Sequence, residues 1–441
     1  MLSFGLTWRA VGPRPWVFRL TDVLLHAGVA SLLVMWLIRL GWSALAAAVI
    51  GLLWAVHPAH VETIASSANR PEMFMAAFSL AAWLAAAARW WTLVVGLSAL
   101  AVLSKETAVV LIGLIPLTVL IRPAWPWRRA VVAVGLGLAI AWILRALVLG
   151  PIVSPGGLNA SRNPLVDAEL LGRAIGATTV LRLAGQHLFW PVNLAPDYSP
   201  HAVPVGTVHD IVLVGLGLLA IGFWAWRSRG RVAIAVSLVI LPLLPVSSIV
   251  VPIGAFYADR WLYLSAVGAA ILVGEVLGTL RRPLTVAFAA VLVVLGVIQT
   301  WATLPAWRSN TALAARMVEA TPRNGYAHFF QATAAAKEKQ WDTVERALRA
   351  AWRDVTPGAR GRVAFSLGSF IWHRDRDRAL RWFRLANSYP DVLLVEGYRT
   401  FSRVLREAGD VNGAAWAAEQ ARQLQAVLNS RPGRGRSSLT P

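Results

Sequence analysis

The sequence predicts an all-α chain in two parts, a polytopic helical membrane domain followed by a soluble helical solenoid. Three observations predict it. The 441 residues are 57% hydrophobic and only 15% charged. Apolar runs close to the ~20 residues that cross a bilayer recur as far as Leu304. Beyond Pro305 those runs stop, and helical patterns of mixed charge begin. A formal net charge of +20 would suggest nucleic acid in a soluble chain. Here much of the arginine sits in short links between apolar runs, where it orients a membrane protein, so no nucleic-acid partner is expected. The chain has no cysteine, which excludes disulfides and thiolate chemistry.

In chain order, residues 1–15 read as an outer loop punctuated by proline and glycine. The membrane domain covers 16–304, with about ten spans expected on length and hydrophobicity. The first, Trp16–Ile38, carries Arg19, Asp22 and His26 in its first half. Further spans are expected at Trp42–Val56, Met73–Ala88, Trp90–Leu103, Thr107–Ile121 and Ala130–Leu149. The stretch 150–206 is rich in proline, glycine and asparagine, and its piece Leu170–Trp190 contains Arg173, Arg182, Gln186 and His187. That scattered polarity suits an amphipathic helix lying in the interface better than a crossing. The remaining spans fall at Val208–Trp226, Val232–Val251, Trp261–Leu280 and Leu284–Leu304.

If 170–190 does not cross, Arg39, Arg89, Arg122 to Arg129, Arg227 to Arg231, and Arg281 with Arg282 all fall on one side. The positive-inside rule makes that side cytoplasmic. The links at 57–72, 104–106, 150–206 and 252–260, which hold nearly all the His, Asp and Glu of the membrane part, then face outward with everything after Leu304. The expected location is a bacterial-type inner membrane with the C-terminal part periplasmic or extracellular. The same count puts residues 1–15 outside, against Arg9, Arg14 and Arg19, so an earlier span upstream is expected.

After residue 305, Val344, Ala379 and Ala414 recur at a spacing of 35, as do Ala351, Ala386 and Ala421. Small side chains at fixed spacing let paired helices approach, so 305–430 reads as tetratricopeptide-type repeats and 431–441 as a disordered tail.

Four groups of residues carry chemistry. His57, His60 and Glu62 lie in the stretch AVHPAHVETIASSANRPE with Arg70 and Glu72. If Pro58 opens a helix, the two imidazoles share its first turn and can shape a phosphate site or hold a divalent metal ion; the alternative is a solvated interfacial loop. Lys105 with Glu106 supplies the only lysine before Lys337. A compact ammonium there suits a phosphate, and the alternative is an internal pair closing a helical hairpin. Asp197 and Tyr198, with His201 nearby, sit in a proline-fixed loop, and Asp259 with Arg260 opens the ninth span. Each of these last two groups reads alone as a neutralised pair or part of an aromatic belt.

The segments HPAHVETIASSANRPEMFMAAF, LSKETAVVL, FWPVNLAPDYS, ADRWLYLSAVG and WRSNTAL, in that order, resemble the transmembrane and tetratricopeptide-repeat-containing O-mannosyltransferase family of the GT-C glycosyltransferase superfamily. LTWRAVGPRPWVFRLTDVLLHA resembles the segment leading into that family's second span. The resemblance implies a polyprenyl-phosphate sugar donor and transfer on the outer face to an acceptor hydroxyl, of a protein or a glycan recruited by the repeats. It also implies an acidic motif, usually paired aspartates, in a first outer loop after an initial span. No such motif precedes Trp16, so the catalytic base is unassigned. Lys105, Arg70 and Arg260 are expected to hold the donor phosphate. His57, His60, Glu62, Glu72, Glu106, Asp197, Tyr198 and Asp259 are expected to shape the site. The rival readings are a non-catalytic membrane scaffold presenting repeats and a polyprenyl-lipid transporter.

Overall fold

The structure, a computed structural model, describes residues 2–118, 121, 125–149, 163–199, 203–228, 230–372, 374–389 and 395–429. All regular structure among them is helical. In order these are α1 (Leu2–Val11), α2 (Pro15–Leu40), α3 (Ala44–Ala55), α4 (Val61–Ala65), α5 (Arg70–Ala87), α6 (Trp91–Ser104), α7 (Leu111–Leu117) and α8 (Trp127–Leu149). They continue with α9 (Leu170–Phe189), α10 (Val208–Ser228), α11 (Arg231–Ile240), α12 (Leu262–Leu277), α13 (Arg282–Thr303) and α14 (Asn310–Ala320). The last six are α15 (Gly325–Lys337), α16 (Trp341–Asp354), α17 (Pro357–Ile371), α18 (Arg376–Asn387), α19 (Val395–Glu407) and α20 (Val411–Asn429).

Local chemistry sets many of the boundaries. Pro15 stands in the first turn of α2, where its missing N–H costs nothing. Gly41, at φ 102°, ends that helix in the left-handed conformation, and its N–H donates to the Ile38 carbonyl. The Ser43 hydroxyl then caps α3 by accepting from the Ala46 N–H at 3.2 Å.

Two compact units result. One comprises 1–159, 163–198 and 204–316, and the other 160–162, 199–203 and 317–441. The division falls inside α14 rather than at 304/305. In the first unit α12 is the central helix, buried continuously from Leu262 to Leu272 and packed against α3, α9 and α11. Close approach depends on glycine: a Cβ on Gly268 would overlap the Ala235 carbonyl, and one on Gly137 would overlap the Val95 carbonyl between α8 and α6. By contrast α10 and α13 expose leucine, valine and phenylalanine along most of their length.

Among the described residues, five helical segments are long and apolar enough to cross a membrane: Pro15–Leu40, Trp127–Val148, Val208–Ser228, Asp259–Leu277 and Arg282–Trp307. A sixth is the pair Ala44–Ala55 and Pro58–Ala65, bent by 52°. The other expected spans are shorter. Helix α11 stops at Ile240 because Pro242 and Pro245 follow, and 244–251 is turn rather than helix. The segment Leu170–Phe189 forms a helix of 20 residues that is not among these segments. Residues 1–15 are not the expected loop, since α1 forms over Leu2–Val11 and packs Phe4 on Phe18 at 4.7 Å.

The second unit consists of helical pairs. α15 packs on α16, α17 on α18 and α19 on α20. The side chains at the 35-residue spacing, Val344, Ala379 and Ala414 with Ala351, Ala386 and Ala421, are all buried. Asn324 and Asp375 cap α15 and α18 through their side-chain oxygens. His201 and the tail 431–441 lie outside the described residues.

Candidate functional site

The links of the first unit gather at opposite ends. Arg39, Arg89, Trp125 and Pro126 line one cavity, and the Arg231 guanidinium reaches the Gly41 carbonyl at 2.6 Å, so the arginine-bearing links share one end. At the other end the histidines and carboxylates converge. His57 donates from Nε2 to the Leu188 carbonyl at 3.0 Å, and Glu62 accepts from the Arg260 guanidinium at 2.5 Å and from its backbone N–H at 3.0 Å. These contacts tie 57–62 to the end of α9 and to the segment before α12.

Asp259 is the hub of this end. Its Oδ1 accepts from His187 Nδ1 at 2.7 Å, and its Oδ2 accepts from the Tyr198 hydroxyl at 2.9 Å. The Tyr198 oxygen in turn accepts from the Ala195 N–H at 2.8 Å, and the Tyr257 hydroxyl lies 3.2 Å from the same His187 nitrogen. Asp259, His187, Tyr198 and Tyr257 are all buried. Burial first, and then the Asp259 charge, push both phenols well above the usual tyrosine value. Both phenols therefore stay neutral, and Tyr198 donates to Asp259. Asp197 is half-buried in the same loop.

Lys105 and Arg260 are partly open at this end, at 20% and 28% side-chain exposure. Lys105 pairs with the buried Glu72 carboxylate and Arg260 with Glu62. Burial, ahead of the Arg260 charge, pushes the Lys105 ammonium down to about 7, while Glu62 and Glu106 pull it upward.

Two expectations, and one alternative reading, are corrected. Arg70 does not face open space: Nε donates to Asp22 at 2.5 Å, Nη2 to the Phe18 carbonyl at 3.3 Å and Nη1 to the Thr7 hydroxyl at 3.4 Å. At 2% exposure it is a structural cation that clamps α2 and α1 to α5, which removes it from the donor-phosphate set. Lys105 and Glu106 do not form an internal pair, since Glu106 turns outward to Arg145 at 3.2 Å. His57, His60 and Glu62 do not converge as a metal centre. His57 Nδ1 accepts from the Ala59 N–H at 3.3 Å, its Nε2 is occupied by Leu188, and Glu62 is committed to Arg260. No group of three or more His, Asp or Glu among the described residues has the arrangement of a metal site.

His60 is instead a packing residue, buried among the rings of His26, His57, Trp54 and Tyr263 at centroid distances of 4.8–5.6 Å. Neither of its ring nitrogens has a well-aligned partner among the described residues. His26 donates from Nε2 to the Ala55 carbonyl at 3.0 Å, so its Nδ1 accepts from the Tyr263 hydroxyl at 2.8 Å. Asp22, His26, His187, Tyr257 and Tyr263 were not singled out as site residues from sequence. Asp22 and His26 did carry a readable mark, an ionisable pair four residues apart on one face of an apolar helix.

Comparison with known proteins places this geometry in a family context. Protein O-mannosyl-transferase TMTC3 of Mus musculus is 25% identical over 62% of this chain and 34% of its own length. The tmtc2 protein of Xenopus laevis is 27% identical over 54% of the chain and 30% of its own. TMTC4 of Homo sapiens is 24% identical over 75% of the chain and 54% of its own. The chain thus spans about a third to about half the length of these curated relatives. No protein-family model and no solved structure matches it. The apolar helices and these relatives indicate a multi-pass membrane protein. The chain is thus similar, at about a quarter identity, to proteins named protein O-mannosyl-transferases TMTC2, TMTC3 and TMTC4.

Proposed function

We propose that the chain acts in a membrane glycosyltransferase that moves mannose from a polyprenyl-phosphate carrier to a protein hydroxyl, at the histidine-bearing end and on the outer face. The observation that carries this reading is the pair of partly open cations, Lys105 and Arg260, each set on a carboxylate and each within the other's field. In the reaction the acceptor oxygen bonds to the anomeric carbon as the bond from that carbon to the phosphate oxygen breaks. The proton passes to a base, and the phosphate leaves with an added negative charge. Lys105 and Arg260 stabilise that charge while Glu72 and Glu62 hold them in position. The Asp259 network fixes the backbone from which Arg260 projects. The base remains outside the residues assigned here.

A pocket of about 20 Å³ lies beside Glu62 and Asp259, lined also by Leu194 to Pro196. It has room for about one water molecule, and neither Lys105 nor Arg260 is among its lining residues. The helical pairs of the second unit are read as tetratricopeptide-type repeats that recruit the protein acceptor, supported by the buried small residues at the spacing of 35. A polyprenyl-lipid transporter would need polar groups along a path through the spans, whereas these gather at one end. The test is transfer of labelled mannose from a polyprenyl-phosphate donor to a serine- and threonine-containing peptide by the full-length protein in vesicles. Product that depends on the donor and is lost in Lys105→Ala supports the reading; equal product from wild type and Lys105→Ala refutes the role of Lys105.

A further inference from the structure

The helix Ala44–Ala55 and the segment Pro58–Ala65 meet at a bend of 52°, and His60 is buried just inside it, at 1% exposure. His26, His57, Trp54 and Tyr263 surround its ring. As filling for that space a phenylalanine would serve, yet His60 keeps two ring nitrogens with no hydrogen-bond partner among the described residues. Buried polar atoms are rarely left unpaired, so the two nitrogens ask for a reason. The imidazoles on either side are each bound in the neutral form. His57 accepts the Ala59 N–H at Nδ1 and donates from Nε2 to Leu188, while His26 donates to the Ala55 carbonyl and accepts from Tyr263. A second ring proton on His57 would set N–H against N–H, one on His26 would displace the Tyr263 hydrogen, and one on His60 would find no acceptor. The other charged groups facing this segment are engaged elsewhere. Asp22 takes Arg70 and Ser67, Glu62 takes Arg260, Glu72 takes Lys105, Asp259 takes His187 and Tyr198, and Arg19 donates to the Trp307 carbonyl. α13 meets the bend through Thr300, and its one charged residue, Arg282, lies in its first turn; Leu304–Trp307 carries none.

We propose that His26, His57 and His60 form an acid-sensitive latch, which seats the segment 57–65 at neutral pH and releases it in acid. When the segment leaves its seat the three imidazoles meet water, where each takes a proton at about pH 6.5. The seated arrangement has no place for those protons, so the unseated one binds more of them. The seat is therefore fully stable above that pH and loses stability progressively as pH falls below it. Release reaches the candidate site because Glu62 follows His60 by two residues and accepts from both the guanidinium and the backbone N–H of Arg260. Arg260 then loses the carboxylate that positions it. The latch is a property of conformation and does not rest on the transfer reaction proposed above.

Amide hydrogen exchange of the full-length protein in lipid nanodiscs, corrected for the intrinsic effect of pH on exchange, would be followed by mass spectrometry at about pH 7.5 and about pH 5.5. Opening of 57–65 should rise roughly tenfold in acid for each imidazole that takes a proton, and the Arg260 amide should lose protection with it. His60→Phe, which keeps a ring, should cut that rise by about tenfold. Where His60→Phe does not fold, His60→Gln, equally unable to carry the proton, is read in the same way. His209→Ala removes an exposed histidine of the same unit and should leave the rise unchanged. Equal protection of 57–65 at both pH values in the wild type, or a rise kept whole in the His60 variant, would overturn the proposal. So would an equal rise in α16 of the second unit, which would mean general unfolding in acid. An Arg260 amide that stays protected while 57–65 opens would overturn the link to Glu62.

Discussion

The two ends of the membrane unit use ionisable residues in opposite ways. At the histidine-bearing end, Arg70, Lys105 and Arg260 each meet a buried carboxylate, respectively Asp22, Glu72 and Glu62. At the arginine-bearing end, Glu275 is the one carboxylate among the described residues, held by the Trp42 indole at 2.7 Å and by Arg231 at 3.8 Å. Buried pairing is costly to assemble and fixes geometry, whereas exposed arginines on links orient spans and tolerate change. The difference teaches where to look for chemistry: at the end where charges are positioned rather than merely present.

Substitutions can break this contrast, beginning with the largest effect. Asp22→Ala leaves the Arg70 guanidinium buried without its counter-charge and should cost about 3–5 kcal/mol, read as a lowered unfolding midpoint in detergent. An unchanged midpoint would mean that the clamp between α2 and α5 does not hold the unit together. Arg260→Ala should slow mannosyl transfer about 100-fold or more and also lower the midpoint, because Glu62 is left buried without its partner, and Arg260→Lys should recover part of both losses. Glu62→Gln leaves Arg260 a hydrogen-bond acceptor but no counter-charge, so a loss of roughly tenfold is expected. At the opposite end, Glu275→Gln should shift stability by less than ~1 kcal/mol, because its pair with Arg231 is partly exposed. A larger effect there than at Glu62 would remove the contrast between the ends.

Alkaline pH sharpens it further. The folded state raises the Tyr198 and Tyr257 phenols above their unfolded value of 10.0. The stabilisation from keeping them neutral is therefore complete below about pH 10 and is lost as pH rises beyond it toward the folded values. Unfolding midpoints followed from pH 8 to 11 should fall above about pH 10, and less steeply in Tyr198→Phe. A profile identical in that variant would exclude Tyr198 from the alkaline transition.

Much of this architecture was legible in the sequence because hydrophobic runs and arginine-bearing links are one-dimensional marks of span and orientation. The gathering of Arg39, Arg89 and Arg231 at one end, and of His57, Glu62, Lys105 and Asp259 at the other, follows from alternation alone. Helix lengths were less legible: Val232–Val251 is apolar throughout, yet Pro242 and Pro245 end α11 early. Pairing was least legible. Which carboxylate meets Arg70 depends on α2 lying against α5, and nothing in RPEMFM specifies Asp22, 48 residues away. Likewise Lys105 sits next to Glu106 in sequence but takes Glu72, because the start of α5 comes to it in three dimensions. His187 passed as one of several charges on an interfacial helix, since its partner Asp259 is 72 residues distant.

The most direct test of the central claim is binding of a labelled polyprenyl-phosphate mannose to the full-length protein, compared between variants at the two ends. Lys105→Ala and Arg260→Ala should each weaken donor binding about tenfold or more, as expected for loss of a charge-assisted contact to phosphate. Arg39→Ala/Arg89→Ala should leave it unchanged. Donor binding that is insensitive to Lys105 and Arg260, or that is lost with Arg39 and Arg89 instead, would contradict the assignment of the donor phosphate to the histidine-bearing end.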